Sequence, residues 1–259
     1  MSAKRQHYAE WTRVAAKALN HGATMRTAAT MHWNVAGRCQ RPVNRVHVGS
    51  KVVKHSFDFK RSTEISESRF IDMEVRCRRC SDCLQHRRRY WARLAEREIN
   101  VSARTWLVTL TLTPDQQNKA YYAACLRLAR SAIDFDGLDP EQQFAERVAE
   151  IGPEITLWLK RVRKQSGAKL RYLLVVEAHK SGLPHFHLLL HEADVEHPVR
   201  KRTIVEQWKL GFGHAKLVAQ GENRRFAHYV TKYLTKSFLC RARASQKYGK
   251  SEANEGHKP

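Results

Sequence analysis

Two short segments hold the residues best suited to chemistry: Pro184-His185-Phe186-His187-Leu188-Leu189-Leu190 and His228-Tyr229-Val230-Thr231-Lys232-Tyr233. In the first, two imidazoles stand two residues apart in an apolar run. On a strand that spacing puts both on one face, with Phe186 and Leu188 on the other. In the second, Tyr229 and Tyr233 are four apart, so a helix sets them one turn apart on one face. A phenol with a pKa of about 10 is a weak nucleophile at neutral pH and needs nearby positive charge. Lys232 and Lys236 supply it. Imidazoles that can hold a metal, together with activated phenols, suit attack on a polarised phosphate.

Those side chains need elements to carry them. Tyr172–Ala178 and His185–His191 read as two strands joined by a Gly-containing turn, His179–Leu183. A hairpin centred on Ser181 places Glu177 opposite His185, and directly opposed residues share a face at close range. The resulting set of two nitrogens and one oxygen suits Mn²⁺ and accepts Mg²⁺ through the carboxylate and waters. An isolated His-x-His is more often a pair of ordinary surface histidines; Glu177 in register and the tyrosine helix weigh against that. Upstream, Thr105 to Thr113 alternates threonine with apolar residues, as a half-buried strand requires, and Pro114 ends it. Helices are expected at 116–132, at 141–150, around Ile155–Val162, at Val199–Leu210 and at Arg224–Phe238, with a short strand at His214–Val218. Three aspartates between 134 and 139 lack calcium-loop spacing and read as a solvated connection. A helix is expected near Tyr8–Leu19, β-like pieces at Val46–Val48 and Val52–Val53, and disorder from Arg241 to Pro259.

The cysteines form a second constellation. Cys77-x-x-Cys80-x-x-Cys83 has metal-ligand spacing, and His86, Cys39 and His32 are the options for a fourth zinc ligand. A ferredoxin-like cluster lacks its fourth Cys-Pro here; reduced cysteines buried on a helix are the bland alternative. Next comes an amphipathic helix, Leu84–Ile99, whose polar side carries Arg87, Arg88, Arg89, Arg93 and Arg97. Phosphate contact is the functional reading of these arginines, and a solvated face the plain one.

The chain has 259 residues, 42% of them hydrophobic, and a formal charge of +22. That is room for one sizeable domain with extensions. The charge excess favours a polyanion partner, because neutralising phosphates releases counterions. No apolar run approaches the roughly 20 residues that span a bilayer. The start of the chain lacks a secretory pattern. The clustered cysteines fit a reducing compartment, so a cytoplasmic location is expected, with no membrane partner.

The Thr-rich strand, Gly182-x-Pro184-His185-x-His187 and Tyr229-x-x-Lys232-Tyr233 occur in the order found in HUH endonucleases. The chain most resembles the rolling-circle replication initiators of microviruses, small single-stranded DNA phages. Those proteins also resemble it in a cysteine cluster followed by an Arg-rich, Trp-containing helix, here Arg89-Tyr90-Trp91-Ala92-Arg93. The resemblance spans about 72–238. It implies an α+β fold in which an antiparallel sheet carries the histidines, helices back it, and the tyrosine helix crosses the metal face. His185, His187 and Glu177 would then hold Mg²⁺ or Mn²⁺, and Tyr229 and Tyr233 would form 5′-phosphotyrosine links. Lys232 would assist, and Arg87, Arg88, Arg89, Arg93 and Lys236 would contact DNA. Partners would be single-stranded origin DNA, joined covalently for part of the cycle, and a host helicase and polymerase. A phage-encoded chain would work in the bacterial cytoplasm. The expected organisation is an N-terminal extension (1–65), a zinc element with the basic helix (66–100), the endonuclease domain (101–239) and a polar tail (240–259). Rival readings are an HUH transposase or relaxase, a non-catalytic zinc-stabilised nucleic-acid-binding protein, and a metallohydrolase whose tyrosines are structural.

Overall fold

A computed structural model of the chain describes residues 33–34, 36–50, 68–178, 183–219, 221–236, 240 and 242–250. The expected helix at Tyr8–Leu19, the β-like Val52–Val53, His32, Ser181 and Phe238 lie outside them. The chain divides into two units, Met1–Cys83 and Leu84–Pro259. This division falls inside the expected 66–100 element.

In the first unit, β1 (Trp33–Asn34), β2 (Val43–Ser50) and β3 (Ser68–Val75) make a three-stranded sheet in the order β1-β3-β2. The second unit is built on five strands: β4 (Arg104–Leu110), β5 (Leu170–Ala178), β6 (Pro184–Glu192), β7 (Gly213–Leu217) and β8 (Ala242–Ala244). Their order is β7-β4-β6-β5-β8, and every neighbouring pair is antiparallel. The fold class is α+β, as the sequence indicates.

Sequence alternation explains why helices cover both sheet faces. Even-numbered residues of β4, β5 and β6, among them Trp106, Val108, Leu174, Phe186 and Leu188, enter one core. There they meet α3 (Pro140–Ser166) and α4 (Lys201–Glu206) through Phe144, Ile155, Trp158, Leu159 and Ile204. Trp158 is wholly buried, and its indole N–H donates to the Ile204 carbonyl at 2.9 Å, so its one polar atom is satisfied. Odd-numbered Leu173, Val175 and Leu189 form a second core with Leu94, Ala95 and Ile99 of α1 (Ser81–Val101). Phe226, Ala227 and Val230 of α5 (Asn223–Thr231) complete it. Fully burying one such aliphatic side chain contributes roughly 1.5–3 kcal/mol, so β6, buried at nearly every position, anchors both layers.

Local signals set the helix ends. Thr113 caps α2 (Pro114–Ala129) by accepting from the Gln116 amide, with Pro114 in the first turn. Asp139 and Gln142 make a capping box at the start of α3, and Gly167, with φ 73°, ends it in the left-handed conformation. The aspartate loop is thereby accounted for: Asp139 is a cap and Asp136 accepts from the Tyr121 hydroxyl.

Three expectations are corrected. The helices at 141–150 and 155–162 are one continuous α3 that contains Pro153. The tyrosine helix stops at Thr231 and tightens into a 3-10 turn over Lys232–Thr235. Ala242–Ala244 is a strand on the outer edge of β5, where a disordered tail was expected, and Tyr248 beyond it is buried. Among the described residues, no helix is long and apolar enough to cross a membrane.

Candidate active site

The hairpin pairs as its spacing predicts, with Glu177 opposite His185 and Val175 opposite His187. Next to β6, Thr109 of β4 lies opposite His187, and His214 of β7 lies opposite Thr109. A row of odd-numbered positions thus crosses four strands on the face covered by α1 and α5.

His187 is the centre of this row and is only 5% exposed. Its Nδ1 is 3.4 Å from the Thr109 hydroxyl, and its Nε2 is 2.9 Å from Glu177 Oε2. The other Glu177 oxygen accepts from the Lys236 ammonium. Burial pushes the Glu177 carboxyl up, but the hydrogen bonds from Lys236 and His187 outweigh it and hold the group below its usual range. Burial lowers His187, more than Glu177 raises it, so the ring is neutral near pH 7. Glu177 therefore bonds to His187, its diagonal neighbour, although it is directly opposite His185. Among the described residues, the triad His185, His187 and Glu177 does not gather all its donor atoms within 4.8 Å.

The tyrosines divide in role. Phe226, Ala227, Val230, Tyr233 and Leu234 make the inward stripe, while Tyr229 is on the outer side. Tyr229 is 40% exposed and Tyr233 5%. The Tyr233 ring stacks on His187, centroids 4.2 Å apart and planes 6° from parallel, and meets Tyr229 edge-on at 5.9 Å. Burial, followed by a hydrogen bond with the Tyr229 hydroxyl, pushes the Tyr233 phenol well above its usual value. The Lys232 ammonium stands 4.1 Å from the Tyr229 ring centre and 4.8 Å from that of Tyr233.

The basic residues also separate. Arg87 donates to the Leu234 carbonyl at 2.6 Å, tying α1 to the 3-10 turn. Lys236 is bound to Glu177 and stands 5.1 Å from the Tyr233 ring centre. Both belong to the fabric of the site, where the sequence reading had them on DNA phosphates. Arg88 is half-buried, and Arg89 and Arg93 are exposed. A cleft of about 400 Å³ is lined by His86, Arg89, Ala92, Arg93 and His228, the last being the neighbour of Tyr229.

At the far end of the same face, a polar chain runs from the Thr105 hydroxyl to His191 Nδ1 (2.9 Å), and from His191 Nε2 to the Tyr248 hydroxyl (2.8 Å). Beside it, Glu98 accepts from Arg171 and from the Gly249 amide. Sequence reasoning did not single out Thr109, His191, Glu98 or Tyr248 in these roles. Strand parity was the available signal for Thr109 and His191, since both share the odd-numbered face of His187.

The geometry agrees with a comparison by sequence. The family model of the replication-associated proteins of the ORF2 type matches residues 105–238, just over half of the chain. The chain belongs to this family of replication-associated proteins. No curated protein matches it. The matched span of this family member opens on Thr105 and reaches past Lys236, so it contains Thr109, Glu177, both histidines and both tyrosines.

The donor set of the site suits a divalent cation. Two imidazoles and a carboxylate lie on adjacent strands of one face, and a lysine ammonium already marks a cationic position at Glu177.

Proposed function

We propose that this replication-associated protein starts rolling-circle replication as an HUH-type endonuclease of the microvirus kind, nicking single-stranded origin DNA through a 5′-phosphotyrosine link. The observation that carries the reading is the exposed Tyr229, with the Lys232 ammonium on its ring, beside the histidine–glutamate pair. His185, His187 and Glu177 would hold Mg²⁺ or Mn²⁺, which when bound polarises the scissile phosphate.

Tyr229 leads because its hydroxyl-bearing ring reaches solvent. Its oxygen loses a proton and bonds to phosphorus, the bond from phosphorus to the 3′-oxygen breaks, and that oxygen leaves as a hydroxyl after taking up a proton. Lys232 stabilises the developing phenolate. Rejoining runs the same exchange backwards, with the 3′-hydroxyl expelling the tyrosine. Tyr233 is the second nucleophile and acts once its ring leaves His187. The net charge of +22 and the basic cleft beside His228 support a DNA strand running past α1 to Tyr229. The strand would lie on Arg89 and Arg93, with Arg88 at its margin.

The test is covalent trapping. Protein, origin-bearing single-stranded oligonucleotide and Mn²⁺ should give a labelled adduct that survives denaturing electrophoresis. Tyr229→Phe should abolish the first-turnover adduct, and Tyr233→Phe should retain it but fail in a second, rejoining turnover. Full adduct formation by the double variant would exclude tyrosine chemistry.

A further inference from the structure

The first unit carries a constellation that the nicking reading does not use. Cys39 ends a turn in which its amide donates to the Ala36 carbonyl at 3.2 Å, and Gly37 takes φ 54°. Cys77 and Cys80 follow β3, and Cys83 is in the first turn of α1. The sulfur separations are 3.5 Å for Cys39–Cys83, 3.9 Å for Cys39–Cys80 and 3.9 Å for Cys77–Cys83. All four sulfurs lie within 4.8 Å of one another. A disulfide requires sulfurs about 2.05 Å apart, and all four thiols are free. Four sulfurs at about 2.3 Å from one ion, at the corners of a tetrahedron, are about 3.8 Å apart. The observed spacing is that of ligands around one ion. An iron–sulfur cubane binds each thiolate to a different iron and needs a wider cage.

The backbone is arranged for charged sulfur. The Cys77 amide donates to Cys39 Sγ and the Cys80 amide to Cys77 Sγ, each at 3.3 Å. Hydrogen bonds to a charged acceptor favour the thiolate that a metal requires. Arg78 adopts φ 65°, a conformation that costs an L-residue roughly 1–2 kcal/mol and persists where its surroundings impose it. Here it closes the turn between Cys77 and Cys80. Four thiolates and one dication leave two negative charges, and Arg38, Arg41, Arg76, Arg78 and Arg79 flank the ligands in sequence to offset them.

We propose that Cys39, Cys77, Cys80 and Cys83 hold one structural Zn²⁺, with Cys39 as the fourth ligand in place of His86 or His32. Four protein sulfurs leave no open position, so this ion organises the unit and takes no part in phosphate chemistry. It joins the Ala36–Gln40 turn to the Cys77–Cys83 segment across the intervening β2 and β3. The two other cysteines, Cys125 and Cys240, belong to separate apolar clusters.

The experiment is elemental analysis of the full chain, purified without chelator under reducing conditions and then dialysed against EDTA. One zinc per chain is expected, retained in His185→Ala/His187→Ala, which removes the other histidine donors, and in Cys125→Ser. Cys39→Ser should lose most of it. If Cys39→Ser does not fold, zinc X-ray absorption on the wild-type protein decides the matter, with four sulfur neighbours at about 2.3 Å expected. Absence of zinc, iron in its place, a nitrogen or oxygen neighbour, or undiminished zinc in folded Cys39→Ser would overturn the proposal.

Discussion

Replacing Lys232 with methionine removes the charge closest to the exposed tyrosine while keeping most of the side chain's bulk. The ammonium is 4.1 Å from the Tyr229 ring centre. A phenolate shares its charge between oxygen and ring, so that distance is a fair measure of the attraction. Coulomb's law gives about 4 kcal/mol at an effective dielectric of 20 and about 1 kcal/mol in bulk water. Lys232 is half-buried, which places the interaction between these limits. The neutral ring already gains about 0.5–1 kcal/mol from the same cation in the ground state, and only the difference accelerates the reaction. A net of about 2 kcal/mol remains, or about 30-fold in rate. The assay is single-turnover adduct formation on a labelled single-stranded origin oligonucleotide with the enzyme in saturating excess, so that weaker DNA binding does not enter. Lys232→Met should be slower by that factor, and Lys232→Arg should recover most of the rate. A Lys232→Met rate within twofold of wild type would refute the electrostatic role, and so would an arginine variant as slow as methionine.

Three other outcomes follow from the geometry. Thr109→Val deprives His187 of its Nδ1 partner, and losing such an orienting contact should raise the Mn²⁺ concentration for half-maximal cleavage about tenfold; an unchanged metal titration would count against it. Burial, with Arg171 adding to it, holds His191 down at about 3, against about 6.5 in the unfolded chain. Below pH 6.5 the unfolded chain therefore binds a proton that the folded one refuses, and stability falls toward pH 3 by up to about 1.4 kcal/mol per unit from this group. Urea denaturation of His191→Gln between pH 7.5 and 4.5 should show a correspondingly flatter slope, and parallel slopes would exclude the effect. At Gly211, an added Cβ would collide with the Thr111 carbonyl oxygen and come within 2.8 Å of the Thr113 amide. Gly211→Ala should cost about 1–3 kcal/mol in the same assay, and an unshifted midpoint would contradict the close approach.

Much of the site was legible in the sequence, because strand parity and turn spacing are strong constraints. The eight-residue step between Glu177 and His185 gave the observed register, and the alternation of β6 gave the face shared by both histidines. The divided roles of the tyrosines were latent in the stripe Phe226, Ala227, Val230, Tyr233 and Leu234, which a closer reading of helical period would have separated from Tyr229. Spacing alone gave no sign of the switch to a 3-10 turn at Lys232. Choice of partner was also hidden: Glu177 reaches diagonally to His187 and Lys236, a side-chain decision made by three elements at once. Strand β8 escaped notice because an edge strand is held largely by backbone hydrogen bonds, and Ala-Arg-Ala has little apolar signature. Cys39 was one of three options for the fourth ligand because its closeness to Cys83 comes from tertiary structure, 44 positions away.

Strand β8 and Tyr248 have a consequence for the timing of synthesis. They supply the outer edge of the hairpin that bears Glu177 and the last polar partner of His191. Domains fold as units during synthesis, at about 5–20 residues per second. The layer that supports the tyrosines can close only after residue 249, whose amide binds Glu98, has left the ribosome. A nascent chain stopped short of that point has both histidines and both tyrosines but lacks the edge that holds them. Its DNA-cutting chemistry is thereby deferred to the end of translation.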